Sequence, residues 1–134
     1  MSLKEEERRT LVNLYLKKSD ETMEDADFNY SQARWNVTAN RLYYALFHAI
    51  TALFVNDGIP VHSHNGMKIQ FGKNYVLTGL ATDEEGKLLS QMETMRERAD
   101  YDATFVASKE IIDERFVPVK KMILHIKELI GGKV

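Results

Sequence analysis

Arg41 and His48 stand seven residues apart in a stretch without Gly or Pro, with Tyr44 between them. On a helix, seven steps of about 100° fall roughly 20° short of two turns, so both side chains leave one face about 10 Å apart along the axis. Tyr44 belongs to the same face. A guanidinium and an imidazole on one stripe suit a phosphodiester. The Arg fork holds the phosphate, and the His, which changes charge near neutral pH, moves protons. The structural alternative pairs Arg41 with an acid and makes His48 a core histidine bonded to a neighbouring helix. Spacing alone favours that alternative, because Arg and His meet at some helical spacing in most proteins.

Other polar residues could join them. Tyr43 and Tyr44 are adjacent, so about 100° separates them: one can face the core while the other edges the Arg41 stripe and offers a base a ring to stack on. His62 and His64 sit in a loop rich in donors and acceptors, residues 56–66. With His48 they could be imagined as zinc ligands. The segment Ser63-His64-Asn65-Gly66 reads more easily as a polar helix start or as part of a phosphate-binding rim, so no metal and no other cofactor is expected. Arg96, Arg98, Asp100 and Tyr101 close a later helix. Two Arg there complement the negative helix end. The functional reading gives Arg98 a phosphate or an acid, and lets Asp100 orient Arg41 or His48 through a hydrogen bond. His125, between Ile123 and Ile126, reads as a surface or helix-packing residue. The acids Asp20, Glu21, Glu24, Asp25 and Asp27 read first as a solvated face and second as a docking patch for a basic partner.

These residues need helices to position them. The first Gly is Gly58 and the first Pro is Pro60, so the preceding residues lack the strong helix breakers. Leu11, Leu14, Tyr15, Lys18, Thr22, Met23 and Ala26 recur at three and four, as do Tyr43, Phe47, Ile50 and Phe54. One continuous rod would exceed about 80 Å, too long for a domain of this size, so a turn is expected at Arg34-Trp35-Asn36, with Asn36 as N-cap of the second helix. Met67 to Val76 predict a short Gly-interrupted helix closed by Gly79. Thr82-Asp83-Glu84-Glu85 has the capping-box form. Leu88, Leu89, Met92 and Met95 follow it on a fourth helix. A last helix starts near Ser108 and runs through Ile112, Val119, Met122, Ile123 and Ile126 to Gly131-Gly132, with a kink near Glu114 or a break before Pro118. The fold class is therefore all-α: a bundle of about five helices, an up-and-down four-helix core plus a short extra helix.

Composition agrees. The 134 residues form a single expected domain, 1–134, with 44% hydrophobic and 28% charged residues, 7 Gly and 2 Pro. This excludes disordered, collagen-like and many-turned all-β chains. The absence of Cys excludes thiol nucleophiles and Cys-type metal sites, and a cytoplasmic location is expected. The first ten residues carry no apolar core for a signal peptide, and no window suits a membrane span. A formal charge of −2 means that any nucleic-acid contact must come from a local site.

In order along the chain, Asn40-Arg41-Leu42-Tyr43-Tyr44-Ala45-Leu46-Phe47-His48-Ala49, Gly58, His64-x-Gly66, Phe71 to Gly79 and Arg98-Ala99-Asp100-Tyr101 resemble the HEPN domain (higher eukaryotes and prokaryotes nucleotide-binding). The resemblance implies a bundle of about five helices that often dimerises. It also implies a place beside, or fused to, a minimal nucleotidyltransferase in a toxin–antitoxin type of pair. Other branches act as metal-independent ribonucleases, in which an Arg-x(4 to 6)-His motif from each protomer meets across a two-fold axis. Arg41 with His48 fits the longest spacing. The residue after the Arg is commonly polar in the active nucleases, and here it is Leu42. The expected function is thus a nucleotide- or RNA-binding domain, a homodimer and the possible partner of a nucleotidyltransferase. Arg41, Tyr44, His64, Arg98, Asp100 and Tyr101 are its expected phosphate or nucleotide contacts. The alternatives are a ribonuclease that uses Arg41 and His48, and a purely structural helical dimer.

Overall fold

The computed structural model describes residues 3–60 and 63–132. Its helices are α1 (Leu3–Ser31), α2 (Trp35–Asp57), α3 (His64–Phe71), α4 (Asp83–Tyr101) and α5 (Lys109–Gly131), with no strand among the described residues. The four long helices make the all-α, up-and-down core expected from the sequence, and α3 is the short extra one. No helix among the described residues is long and apolar enough to cross a membrane.

α2 is the central element. It packs against α1, α4 and α5, and its Leu42, Tyr43, Ala45, Leu46, Ala49, Ile50, Leu53 and Phe54 are buried. α1 meets it through a stripe of Val12, Ser19, Thr22 and Ala26, small enough to bring the two axes close, and the buried Ser19 hydroxyl donates to the Ala45 carbonyl at 2.7 Å. Leu11 and Leu14, read from the sequence as part of the helical pattern, point to solvent instead. The buried stripe of α1 carries small and polar side chains, so its phase was masked by the leucines beside it.

The turn after α1 uses Ala33 in the left-handed region, at φ 57°. Contrary to expectation, Asn36 does not cap α2: the N-cap position falls to Arg34, which makes no side-chain cap bond. The Asn36 amide reaches the α4–α5 loop, where its Oδ1 accepts from the Ala107 N–H at 2.7 Å and its Nδ2 lies 3.4 Å from the Phe105 carbonyl. Those two loop groups have no ladder of their own, and Asn36 satisfies them.

Ser63 caps α3, its hydroxyl accepting from the Gly66 N–H at 2.9 Å. The glycine interruption that follows is a π-helical turn, Gly72–Val76, closed by the Leu77 N–H on the Gly72 carbonyl at 2.9 Å. The wider turn delivers Tyr75 into the core, stacked on Phe54 and Phe71, with its hydroxyl on Asp57. Gly79, at φ 81°, then reverses the chain. The capping box of α4 is present: the Thr82 hydroxyl accepts from the Glu85 N–H at 3.1 Å, and the Glu85 carboxylate accepts from the Thr82 N–H at 2.9 Å. Ser108 caps α5, which runs through Pro118 without the expected break. Pro118 and Glu114 are both exposed, so the carbonyl that loses its donor lies on the wet side of the helix.

Candidate functional site

The packing of α2 decides which side chains remain available. Leu42, Leu46 and Ala49 are fully buried, and this leaves Arg41, Tyr44 and His48 half-buried along one edge. Tyr43 is the tyrosine that enters the core, and Tyr44 is the one that edges the stripe. The Tyr44 ring is the hub of the site. The Arg41 guanidinium lies 5.6 Å from its centroid, that of Arg96 5.7 Å, and the rings of His48 and His64 lie 6.2 and 6.1 Å away.

Arg41 does not pair directly with an acid. Its Nε and Nη2 donate to the Asn40 Oδ1 at 2.9 and 2.6 Å, and the Asn40 Nδ2 donates in turn to both Asp100 oxygens at 3.2 and 3.0 Å. The carboxylate thus aims the guanidinium through an amide without neutralising it at contact distance. Asp100 also lies 3.8 Å from Arg96.

His48 stacks on Tyr15 of α1 at 6.5 Å between centroids, and its buried Nδ1 has no hydrogen-bond partner among the described residues. Burial, followed by the positive charges of Lys18 and Arg41, lowers its pKa and favours the neutral imidazole. His64, the first residue of α3, joins from the other side, its Nδ1 2.5 Å from the buried Tyr43 hydroxyl and its ring 4.9 Å from Phe47. Its pKa is also lowered, by burial first and Arg96 second.

Of the residues singled out in the sequence, Arg41, Tyr44, His48 and His64 therefore converge, and Asp100 reaches them through Asn40. Tyr101 lies at the margin, strongly exposed, with the Arg96 guanidinium 6.0 Å from its ring. Arg98 does not join. It faces the α4–α5 loop, 3.9 Å from Asp102 and stacked 4.6 Å over Phe105, because residues two apart on a helix leave opposite sides and Arg96 takes the inner one. His62 lies outside the described residues. Among the described residues no group of three His, Cys, Asp or Glu is placed to hold a metal. His125 packs α5 against α4 through Glu85, at 2.7 Å. In the acidic stretch of α1, Asp20 and Asp27 are spent on Lys127 and Lys120 of α5.

Sequence reasoning left out Asn40, Arg96 and Tyr43 as site members. The signal for Arg96 was present: Leu89, Met92, Arg96 and Asp100 lie three, four and four apart, so the buried stripe of α4 continues into charged residues. Glu93 is held there by Lys68 at 3.0 Å.

The fold and this face define a helical bundle that presents a held guanidinium and two neutral imidazoles around one tyrosine ring. Residues 12–129 match the model of the HEPN domain. A UPF0332 protein of Thermotoga maritima is 30% identical over 95 residues, which are 71% of this chain and 72% of that protein. Two proteins of Methanocaldococcus jannaschii whose names describe them as candidate toxins are also similar. One is 27% identical over 103 residues (77% of this chain, 69% of that protein), the other 24% over 128 residues (93% and 92%). The chain belongs to the HEPN domain family, as its Asn-Arg-x-Tyr-Tyr-Ala block and its Ala-Asp-Tyr segment led us to expect.

Proposed function

We propose that this chain is a toxin-type HEPN domain that binds RNA or a nucleotide phosphate on the Arg41–Tyr44–His48 face, with a second copy of the chain doubling that face across a two-fold axis. The observation that carries the reading is the Asp100–Asn40–Arg41 string, which holds a half-exposed guanidinium beside an aromatic ring and leaves its charge open to an anion. Arg41 takes the phosphate by its fork, Tyr44 stacks on a base, and His64 stands within reach of the same ring. Asp100 acts through Asn40, and Tyr101 widens the rim. The names of the two archaeal relatives favour a toxin role and, with it, a nucleotidyltransferase as the neutralising partner. One protomer supplies few groups to grip a phosphodiester, and two-fold symmetry doubles them.

A second reading, cleavage without metal, is favoured by the place of the half-buried His48 ring beside Tyr44 on the Arg41 stripe and by its depressed pKa. As a base, neutral His48 would take the proton of a 2′-hydroxyl. The 2′-oxygen would attack phosphorus, Arg41 would offset the added charge on the phosphoryl oxygens, and the 5′-oxygen would leave with a proton. The products are a 2′,3′-cyclic phosphate and a 5′-hydroxyl. Leu42 is fully buried, so the position after the Arg adds no group to the face, and the binding reading comes first.

One set of measurements separates the readings. Light scattering at micromolar concentration should give about twice 15.5 kDa. Arg41→Ala should weaken the binding of a short single-stranded RNA. If the protein cleaves, cleavage should persist in EDTA and vanish in His48→Ala, which should still bind. No cleavage between pH 5 and 8 leaves the binding module, and no RNA or nucleotide affinity leaves only a structural dimer. An adjoining reading frame for a small nucleotidyltransferase would support the pairing.

A further inference from the structure

Tyr43 is fully buried, yet it carries a hydroxyl that must be satisfied, and among the described residues its hydrogen-bond partner is His64 Nδ1 at 2.5 Å. Two arrangements fit that distance. If Nδ1 carried a hydrogen and donated, the tyrosine hydrogen would be left in the core without an acceptor, which costs the full desolvation of a buried donor. If the hydroxyl donates, both groups are satisfied. Burial raises the Tyr43 pKa far above its ordinary value, so the hydroxyl keeps its proton. An imidazole that accepts at Nδ1 and is neutral must carry its hydrogen on Nε2. That nitrogen is not the one that meets Tyr43, and among the described residues it has no hydrogen-bond partner and is not closed off from solvent.

We propose that the Tyr43 hydroxyl fixes His64 as an Nε2–H donor on the Tyr44 face, so that His64 gives a hydrogen bond to an oxygen of the bound nucleic acid and Tyr43 is its positioning residue. This rests on the RNA-binding reading above. The charged and titratable groups around the ring are consistent with a neutral donor. Tyr43 and Tyr44 face it from α2, Arg96, Glu93 and Glu97 from α4, and on α3 Lys68 is held by Glu93. Burial and Arg96 act against protonation and outweigh the two acids. The two imidazoles then differ in kind. His48 has no partner on its buried Nδ1 to fix which nitrogen carries the hydrogen, whereas His64 is held by Tyr43 with its hydrogen on Nε2. The contribution of His64 to binding is therefore flat above pH 6.5, where a protonating histidine would fade.

The test has one arm free of function. In the long-range 15N–1H spectrum of the imidazoles at pH 7, His64 should appear as the neutral Nε2–H tautomer, and Tyr43→Phe should turn it into a mixture. In the second arm a short single-stranded RNA is titrated by fluorescence anisotropy. His64→Ala should weaken binding about fivefold to tenfold, the net worth of one ordinary hydrogen bond, and Tyr43→Phe about twofold to threefold. His64→Gln, whose amide nitrogen reaches the place of Nε2, should recover much of the loss. An oligonucleotide with abasic positions should keep the His64 dependence if the acceptor is a phosphate oxygen and lose it if the acceptor is a base. Melting curves establish that the variants fold. An Nδ1–H tautomer, or a charged His64 at pH 7, overturns the proposal. So does unchanged RNA affinity in His64→Ala when Arg41→Ala has lost it. If Arg41→Ala also leaves the affinity unchanged, the RNA reading falls, while the tautomer measurement still decides the role of Tyr43.

Discussion

Asn40→Ala should weaken RNA binding although Asn40 need not touch the RNA. The amide accepts two bonds from Arg41, at 2.9 and 2.6 Å, and gives two to Asp100, at 3.2 and 3.0 Å. A hydrogen bond to a charged group contributes roughly 1.5–3 kcal/mol when it is dry. All three side chains are in partial contact with water, so we take the pair on Arg41 at about 1 kcal/mol of pre-organisation. The rotamer freedom that Arg41 regains costs about another 0.5 kcal/mol when the phosphate must immobilise it again. The total, about 1.5 kcal/mol, is roughly a tenfold rise in Kd. Arg41→Ala removes the charge itself and should cost more. The decisive measurement is the double variant, by anisotropy at one fixed ionic strength. If Asn40 works only through Arg41, Asn40→Ala adds nothing once Arg41 is alanine. The same tenfold penalty in both backgrounds would mean that Asn40 contacts the RNA directly, and wild-type affinity in Asn40→Ala alone would refute the string.

Two further outcomes concern stability. His48 and His64 both have pKa values below the ordinary 6.5, so the unfolded chain binds protons more readily than the folded one. The melting temperature should therefore hold above pH 6.5 and fall as the pH drops below it, and a combined His48→Gln and His64→Gln variant should flatten that fall; an equal fall in the variant would place the cause elsewhere. Glu85→Ala removes the return bond of the capping box and the tie to His125, for a loss of about 1–2 kcal/mol and a melting point lower by a few degrees, while Glu85→Gln, which keeps the cap, should lose less and neither should alter RNA affinity.

The helices were legible where periodicity and caps spoke together: Thr82 with Glu85, Ser108 before α5, and the apolar rows of α2 and α5. They were less legible where tertiary contact overrode local chemistry. Asn36 has the composition of a cap and was drawn to the loop at Ala107, and Pro118 has the composition of a breaker and sits where water can solvate the freed carbonyl. The phase of α1 was hidden because part of its buried stripe is small and polar, as at Ser19, a position that a hydrophobic pattern passes over, while Leu11 and Leu14 beside it are exposed. The same division holds for the site. Arg41, Tyr44 and His48 share one helix, and their helical spacing puts them on one face in any fold. His64 and Asp100 come from other elements, so the residues that join them, Tyr43 and Asn40, acquire a role only once α3 and α4 are in place. Arg98 was preferred to Arg96 for its place in the Arg98-Ala99-Asp100-Tyr101 segment, and the phase of α4 put Arg96 inside instead.

The acidic balance of the chain is no obstacle to a nucleic-acid site, because the charges are not spread evenly. Asp20 and Asp27 are tied to α5, Glu93 to Lys68 and Glu85 to His125, so these carboxylates are spent on packing. Around Tyr44 stand Arg41 and Arg96, with Lys18 near enough to act on His48, against Asp100 as the carboxylate that pairs there. Arg96 is too deeply buried to reach a ligand, but after burial itself its charge is the next cause of the lowered His64 pKa, and it offsets Asp100. Among the described residues this leaves half-buried Arg41 and exposed Lys18 as the cations of the face with no carboxylate at contact distance. On the proposed reading a phosphate is the partner of this face, and the core-anchored helix would hold the guanidinium in place before it arrives.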